Sequence, residues 1–454
     1  MHINPKIFKA YDIRGVYDVD FDDKAAYRLG LAYAKLRKKE LNKKDIQIVV
    51  GSDMRISSPV LKESLIKGLV ESGITVIDIG LSSTPTFYFA VSNYNYDGGI
   101  IISASHNPRE YNGFKLVRAK AMPIGADTGM EELKELVLNG DLEPSDEIGR
   151  IEEHHDVLSA HIQHDLLFSN VKKIRGFKIA IDPSNGMGGQ YLEELFKHLP
   201  CDLIRMNWEP DGNFPSHEAD PFKSKNLIDL CQKVKDEHCD FGVATDGDGD
   251  RIFFVDDLGQ PVEAGITRAM LCKIFLEEEP GAKIAYDIRP GKITRDVILE
   301  SGGEPIITKV GHSYIKAKSI EEGVYFAGES SGHFFLNTDI GFFETPIIVL
   351  LVIMEELSEK NLSFSQYIRQ FQKYYHSGEI NTKILNPEAK LQEIKEKYAD
   401  GELNELDGVS ITYDDYWFNV RPSNTEPLLR FTLEANSREI MEKKTDEILR
   451  VIRN

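Results

Sequence analysis

The apolar stretch Gly99-Ile100-Ile101-Ile102 leads directly into the polar stretch Ser103-Ala104-Ser105-His106-Asn107-Pro108. A short β-branched run that ends in small polar residues is typical of a buried strand that delivers a loop. Asn107 precedes a proline, which disfavours the helical backbone conformation, so we do not expect the loop to continue as a helix. The pattern predicts a tight turn that presents the Ser105 hydroxyl beside the His106 imidazole. A serine that merely caps an ordinary strand-to-helix connection is the alternative interpretation.

This strand belongs to an internal repeat that organises the first three quarters of the chain. Each repeat has a first apolar strand, a helix-like segment and a second apolar strand. Strands that alternate with helices predict parallel α/β sheets, here three times in tandem. The first strands are expected at residues 45–51, 177–182 and 282–287, and the second strands at 99–102, 241–244 and 324–327.

The last part of the chain has a different pattern. From about Ser377 onward, short alternating strands precede a final amphipathic helix, which predicts an α+β cap rather than a fourth repeat. The segment 387–406 is highly charged, and we expect a solvated helix and loop there. We therefore expect four domains, at residues 1–150, 151–255, 256–370 and 371–454.

Composition and charge restrict the function classes. The chain has 454 residues and a formal net charge of −20, and so acidic a protein repels nucleic acid and anionic membranes. Its four cysteines form no C-x-x-C pair, which favours free thiols in a reducing cytoplasm. The longest apolar run, residues 346–354, is about half of a bilayer span. With no apolar core in residues 1–9 to indicate a signal peptide, we expect a cytoplasmic protein.

The second strands lead into the three most unusual loops of the chain. In open α/β sheets, ligands bind beyond the carboxyl ends of the strands, so these loops are where function is expected. One of them, residues 246–251, reads Asp-Gly-Asp-Gly-Asp-Arg. Three carboxylates so close repel each other, and a hard divalent cation such as Mg²⁺ relieves that repulsion. An EF-hand calcium loop is excluded because Arg251 stands at its glycine position and Asp257 at its glutamate position. An acidic hairpin turn is the remaining alternative.

Two further loops carry groups suited to a phosphorylated sugar. Glu329 and Ser331, two positions apart in Gly-Glu-Ser-Ser-Gly-His, can bind adjacent hydroxyls of a sugar ring, although a polar β-turn has the same composition. In the cap, Arg421 and Arg430 flank a run of hydroxyl and amide donors, which is what a phosphate dianion needs. The alternative is a surface loop whose arginines pair with local acids.

Together, these loops indicate phosphoryl transfer on a phosphosugar. They provide carboxylates for a cation, a serine nucleophile, a sugar-binding loop and a phosphate-binding loop, and such catalysis is largely positioning and charge neutralisation. The residues by themselves do not separate a kinase, a phosphatase and a mutase.

Over essentially its whole length, the chain closely resembles the α-D-phosphohexomutase superfamily and, within it, the bacterial and archaeal phosphomannomutase/phosphoglucomutase group. The motifs that carry the resemblance occur in family order at residues 10–15, 103–108, 112–115, 210–215, 246–251, 311–313, 328–333 and 421–430. There are three departures: residues 52–55 lack the usual glycine after Asp53, Arg289 replaces a common lysine, and Ser330 replaces a usual methionine.

The resemblance implies three tandem related α/β domains and a C-terminal α+β cap domain around a central cleft. It implies that Ser105 carries a phosphoryl group and that one Mg²⁺ per chain binds Asp246, Asp248, Asp250 and the Ser105 phosphate. The implied catalytic residues are Ser105, Lys115, Arg251, His106 and Arg14. The implied substrate-binding residues are Tyr11, Arg289, His312, Glu329, Ser331, His333, Arg421, Ser423, Asn424, Thr425 and Arg430.

The implied activity interconverts hexose 6-phosphate and hexose 1-phosphate through a hexose 1,6-bisphosphate intermediate. Asn424 favours mannose and glucose over glucosamine, in whose branch glycine is usual. The alternatives are a phosphoglucosamine mutase, a metal-dependent phosphatase and a non-catalytic sugar-phosphate-binding protein. The expected partners are small phosphosugars, with no nucleic acid or membrane, and the expected state is a monomer or small homo-oligomer.

Overall fold

The first repeat forms a six-stranded sheet in the order β1-β5-β4-β2-β3-β6. The computed structural model describes residues 2–289, 291–422 and 428–454. Strand β2 pairs in parallel with β3 and β4, while β5 pairs antiparallel with β4 and β1. The strands are β1 (Ile13–Val16), β2 (Gln47–Ser52), β3 (Thr75–Leu81), β4 (Gly98–Ile102), β5 (Tyr111–Arg118) and β6 (Arg150–Glu153), and the helices are α1 (Asp23–Leu41), α2 (Ser58–Glu71), α3 (Thr84–Asn93) and α4 (Met130–Asn139).

The second repeat forms a four-stranded sheet in the order β10-β9-β7-β8. Strand β7 pairs in parallel with β8 and β9, as predicted for an α/β repeat, and β10 turns back antiparallel onto β9. The turn between β9 and β10 is the acidic loop. The elements are α5 (Val157–Asp165), β7 (Lys178–Asp182), α6 (Gly188–Phe196), β8 (Asp202–Arg205), α7 (Ile228–Asp236), β9 (Phe241–Thr245) and β10 (Ile252–Val255).

In the third repeat, β11 pairs in parallel with β12 and β13, and β14 and β15 form an antiparallel hairpin. Its elements are α8 (Ala264–Glu278), β11 (Lys283–Asp287), α9 (Lys292–Glu300), β12 (Glu304–Thr308), α10 (His312–Glu322), β13 (Phe326–Gly328), β14 (Phe334–Thr338), β15 (Gly341–Glu344), α11 (Pro346–Lys360) and α12 (Phe364–Ile368). The apolar run 346–354 lies fully buried in α11, so it is a core helix. Among the described residues, no helix is long and apolar enough to cross a membrane.

The cap is an antiparallel sheet in the order β16-β21-β20-β19-β18, with β17 also paired to β21. The segment 387–406 contains the expected helix, and the expected loop after it includes a three-residue edge strand, β18, that the sequence did not predict. All three β18 side chains are exposed, so only backbone pairing with β19 defines this strand. The elements are β16 (Tyr375–His376), β17 (Ile380–Lys383), α13 (Pro387–Lys397), β18 (Glu402–Asn404), β19 (Val409–Thr412), β20 (Tyr416–Pro422), β21 (Leu428–Ala435) and α14 (Arg438–Arg453).

These elements cluster into two compact units. The first contains Met1–Val262 and Ser331–Gln366, and the second contains Glu263–Ser330 and Tyr367–Asn454. The chain thus leaves the first unit after the second repeat and returns to it with the β14–β15 hairpin and α11. All four cysteines are free, as predicted.

Close packing of α1 on α2 supports the first sheet. Gly30 and Gly68 lie where the two helices approach most closely, and a Cβ on Gly68 would overlap the carbonyl oxygen of Tyr27. Without a Cβ at this position, the backbones can approach to a distance that other residues would not allow. The apolar stripe of α2, with Leu61, Leu65 and Leu69 fully buried, lies in the same interface.

We expect Gly68→Ala to destabilise the protein by about 1–3 kcal/mol, because the added methyl group overpacks the α1–α2 interface. In an exposed helix the same change would stabilise by roughly 0.5–1 kcal/mol. The measurement is thermal unfolding of the full chain by scanning calorimetry. Ser64→Ala, in the same helix, is the control and should leave the unfolding temperature nearly unchanged. A raised unfolding temperature for Gly68→Ala would contradict the interpretation.

Candidate active site

Ser105 lies on the turn after β4, at the carboxyl end of the first sheet. Its backbone has a left-handed φ of 49°, and its side chain is buried. Its hydroxyl donates a hydrogen bond to Asp246 Oδ2 at 2.7 Å and lies 3.1 Å from Nδ1 of His106. The turn therefore brings a serine oxygen into direct contact with the acidic loop.

The fully buried side chain of Arg55 holds this turn in shape. Its guanidinium group donates to four backbone carbonyl oxygens, at distances of 2.6–2.9 Å, and to the carboxylate of Asp53. Those carbonyls belong to Ser105, Asn107, Pro108 and Tyr111. Five donors in a rigid fork suit arginine to this role, and a lysine would satisfy fewer of these acceptors.

The three acids of the loop between β9 and β10 converge. Asp246, Asp248 and Asp250 are buried, and each offers a carboxylate oxygen within 4.8 Å of the others. Burial, followed by the charges of Asp250 and Asp248, raises the pKa of Asp246 to about 8. Asp248 Oδ1 is buried and has no hydrogen-bond partner among the described residues.

Lys115 and Thr84 approach the same carboxylates. The Lys115 ammonium group donates to Asp248 Oδ2 and Asp250 Oδ2 at 2.6 Å each, and the Thr84 hydroxyl donates to Asp248 Oδ2 at 2.6 Å. Burial of Lys115 opposes its charge, but the two carboxylates hold its pKa well above the usual range. An excess of buried negative charge remains. Crowded carboxylate oxygens and one unpartnered oxygen fit a hard divalent cation.

The segment 184–191 of the second repeat, which contains three glycines, packs against the acidic loop. The Tyr191 hydroxyl donates to the Gly249 carbonyl at 3.1 Å, and Ser184 donates to the Thr245 carbonyl at 3.0 Å. A Cβ on Gly188 would overlap the Thr245 side chain. These contacts therefore hold the loop where it begins, at Thr245, and within it, at Gly249.

Arg14, Arg251 and His333 surround the acids. Arg251 Nε and Asp250 Oδ1 each lie 3.2 Å from His333 Nε2, and the Ser331 hydroxyl lies 3.0 Å from His333 Nδ1. Arg14 donates to Asn107 Oδ1 at 2.6 Å and pairs with Asp12. Burial of His106, and then the charges of Arg251 and Arg14, lower its pKa well below the usual range. Tyr11 is half-buried in the bend before β1.

The second unit brings together another group of predicted residues. Arg289 donates to Asp287 Oδ2 at 2.5 Å and to Glu329 Oε1 at 3.2 Å, and the Gly311 amide donates to the same Glu329 oxygen at 3.1 Å. Ser330 turns its hydroxyl toward Asp287 and Arg268, at 2.8 and 2.6 Å. The Ser330 side chain therefore stabilises the loop 328–333. His312, another predicted residue, is the first residue of α10 and directly follows Gly311.

The cap holds a third group. Arg421 on β20 and Arg430 on β21 donate to opposite oxygens of Glu379, at 2.7 and 2.9 Å. Burial of Arg421 lowers the pKa of its guanidinium, and Glu379 partly offsets the effect. The predicted residues Ser423, Asn424 and Thr425 lie outside the described residues.

Comparison with known proteins identifies the family. Four family models match the chain in succession: phosphoglucomutase/phosphomannomutase alpha/beta/alpha domain I at residues 5–143, domain II at 157–259, domain III at 266–374 and the C-terminal domain at 379–451. The chain belongs to the phosphoglucomutase/phosphomannomutase family. Its members are hexose phosphate mutases, and the sequence resemblance and the fold class predicted from the sequence are therefore confirmed.

Individual members of the phosphoglucomutase/phosphomannomutase family match along the whole chain. A phosphomannomutase of Methanocaldococcus jannaschii is 40% identical over 98% of this chain and 97% of its own length. One of Vibrio cholerae is 36% identical over 98% of each chain. The crystal structure of a phosphoglucomutase/phosphomannomutase family protein of Burkholderia thailandensis superposes with a TM-score of 0.90, at 31% identity, over 99% of this chain and 97% of that one.

Sequence reasoning did not single out several residues that contact the predicted site residues or their loops. These are Thr84 and Arg55 in the first unit, and Arg268, Asp287 and Glu379 in the second. Arg55 and Asp287 could have been found from the sequence. The same Asp-x-Arg pattern, Asp53-x-Arg55 and Asp287-x-Arg289, follows the first strand in two of the repeats. In each, the carboxylate accepts from the backbone N–H of the residue two positions later. Asp182 does the same with the Ser184 N–H.

We expect Arg55→Met to lower the free energy of unfolding by about 3–5 kcal/mol, because Asp53 and the carbonyl acceptors would be left buried and unpaired. The measurement is thermal unfolding of the full chain. Arg109→Met is the control, because it removes an exposed arginine that pairs with its neighbour Glu110. Equal unfolding temperatures for the two variants would show that Arg55 does not hold the turn.

Proposed function

We propose that this chain interconverts hexose 6-phosphate and hexose 1-phosphate, with mannose, glucose or both as the sugar, through a phosphoserine at Ser105. The observation that carries the proposal is the 2.7 Å contact between the Ser105 hydroxyl and the buried carboxylate of Asp246. A serine oxygen at a cluster of buried acids, with Lys115 and Arg251 beside it, is suited to phosphoryl transfer. Such transfer depends chiefly on positioning and on neutralising charge.

Two transfers make up the proposed reaction. In the first, the hydroxyl oxygen of a hexose monophosphate attacks the Ser105 phosphorus, the bond to Ser105 Oγ breaks, and the hydroxyl proton goes to a base. In the second, Ser105 Oγ attacks the other phosphate of the resulting hexose 1,6-bisphosphate, and the released sugar oxygen regains a proton. Lys115, Arg14 and His106 are proposed for the proton transfers, since a positioned acid/base is required at each. Although burial opposes its charge, the two carboxylate partners of Lys115 raise its pKa, so its ammonium group is suited to return the proton to the released sugar oxygen.

We propose Asp246, Asp248, Asp250 and the Ser105 phosphate as the groups that hold one Mg²⁺. The buried, mutually repelling carboxylates and the unpartnered Asp248 oxygen support this assignment. When bound, Mg²⁺ supplies positive charge that stabilises the negative charge developing on the phosphoryl oxygens. Arg251, which lies within 3.7 Å of Asp246, adds a second positive charge on that side.

The remaining predicted residues are proposed to bind the substrate. Glu329, Ser331 and His333 would contact ring hydroxyls, and Tyr11, Arg289 and His312 are also proposed to bind the substrate. Arg421, Ser423, Asn424, Thr425 and Arg430 would hold the phosphate that is not reacting, and we call these five residues the phosphate cradle.

We also propose the domain limits 1–150, 151–255, 256–370 and 371–454, and a monomer or small homo-oligomer. The net charge of −20 supports the absence of a nucleic-acid partner.

We expect the purified protein to carry one phosphoryl group and Ser105→Ala to carry none, as measured by intact-mass spectrometry. Ser105→Ala should also lose at least about a thousandfold in mutase turnover, because it lacks the oxygen that accepts and donates the phosphoryl group. Ser301→Ala, at the end of α9, is the matched control and should keep both mass increment and turnover. Undiminished turnover in Ser105→Ala would overturn the mechanism.

We expect the 1-phosphates of mannose and glucose to be converted with kcat/KM at least about tenfold above that of glucosamine 1-phosphate, since a site built for a hydroxyl discriminates against an altered polar group. The measurement compares the three substrates under identical conditions and follows both the 6-phosphate product and free phosphate. Fastest conversion of glucosamine 1-phosphate would instead assign a phosphoglucosamine mutase. Release of free phosphate without isomerised product would assign a phosphatase.

A further inference from the structure

Two arginines of the cap, Arg421 and Arg430, form a cross-strand pair of like charges. Arg421 on β20 lies directly opposite Arg430 on β21 in the antiparallel register. Like charges placed opposite each other across two strands destabilise a sheet. The side chain of Arg421 is only 9% exposed and that of Arg430 is 30% exposed, so solvent screens their repulsion only in part.

Glu379 compensates this repulsion. It stands directly before β17, which pairs with β21, and its two carboxylate oxygens take one arginine each, Oε2 from Arg421 and Oε1 from Arg430. Its side chain is 19% exposed, so the bridge is mostly shielded from water. A carboxylate that receives two guanidinium groups on separate oxygens uses the same donors that a phosphate group would use.

We propose that Glu379 is an internal counter-ion of Arg421 and Arg430, which competes with the substrate phosphate for these two arginines and so weakens phosphate binding. The proposal rests on the assignment of these arginines to the cradle under the proposed function. It adds a residue that tunes the affinity of that site. An entering phosphate dianion displaces the Glu379 carboxylate from one or both guanidinium groups. When the phosphate leaves, the carboxylate binds them again.

Weakened binding matters for the proposed reaction. The bisphosphate must leave the cradle and return with its other phosphate between the two transfers. A cradle that holds a dianion too tightly slows that exchange, whereas a competing carboxylate keeps the two arginines neutralised while the phosphate is away. Tighter phosphate binding lowers KM without raising kcat, and slower exchange of the bisphosphate lowers kcat. Removing Glu379 is therefore expected to lower KM and kcat together.

The test measures binding of inorganic phosphate to the full chain by titration calorimetry, without sugar. Glu379→Gln keeps the size of the side chain and loses its charge, and we expect it to bind phosphate about fivefold to tenfold more tightly than the native protein. Glu379→Asp, whose shorter carboxylate cannot bridge both arginines, is the second variant and should shift affinity in the same direction. Glu193→Gln removes an equivalent partner of Arg205 at the surface and should change nothing.

Arg421→Ala separates the possible failures. If Arg421→Ala abolishes phosphate binding and both Glu379 variants bind phosphate no more tightly than the native protein, the counter-ion proposal is overturned and the cradle stands. If Arg421→Ala binds phosphate as the native protein does, the cradle assignment and the proposal both fail. In the mutase assay, support requires that KM and kcat fall together in Glu379→Gln. A rise in KM would show that Glu379 instead positions the arginines for substrate.

Discussion

The structure depends on a concentration of negative charge that the fold buries next to a serine. Asp246, Asp248 and Asp250 lie within one turn, are shielded from water, and meet the Ser105 hydroxyl on one side and the Lys115 ammonium on the other. Such a cluster is costly unless positive charge compensates it, and the surrounding Lys115, Arg251 and Arg14 supply only part of that charge, since Arg14 also pairs with Asp12 and Arg251 with Asp220. Two contacts of α6 keep these carboxylates together despite their repulsion. The Tyr191 hydroxyl donates to the Gly249 carbonyl, and Gly188, without a Cβ, packs against Thr245.

The same compensation recurs, with the signs exchanged, in the second unit. There the carboxylate of Glu379 pairs with Arg421 and Arg430, and that of Asp287 pairs with Arg268 and Arg289. A hexose phosphate mutase must bind a highly charged ligand and release it again. Buried charges that are nearly neutralised by protein partners can exchange those partners for ligand at low net cost, whereas uncompensated charges would hold the ligand or unfold the site.

The same hydrogen-bonded turn occurs in all three repeats. At the end of each first strand an aspartate, Asp53, Asp182 or Asp287, accepts a hydrogen bond from the backbone two residues later and so turns the chain. In the first and third repeats an arginine follows at that position, but its targets differ: Arg55 braces the serine turn, and Arg289 pairs with the acid of the sugar-binding loop. The same type of turn thus supports two different contacts, depending on the loop beside it.

The sequence by itself determined the α/β repeats, the cap, the serine turn and the acidic loop, because strand periodicity and loop composition are local properties that neighbouring residues share. Only the tertiary structure decided that Arg55 grips four carbonyls, that Thr84 meets Asp248, and that Glu379 bridges Arg421 and Arg430. It also decided that β18 is a strand and that the hairpin β14–β15 packs with the first unit. These features join residues far apart in the chain, or rest on backbone hydrogen bonds alone, so no local pattern of side chains encodes them.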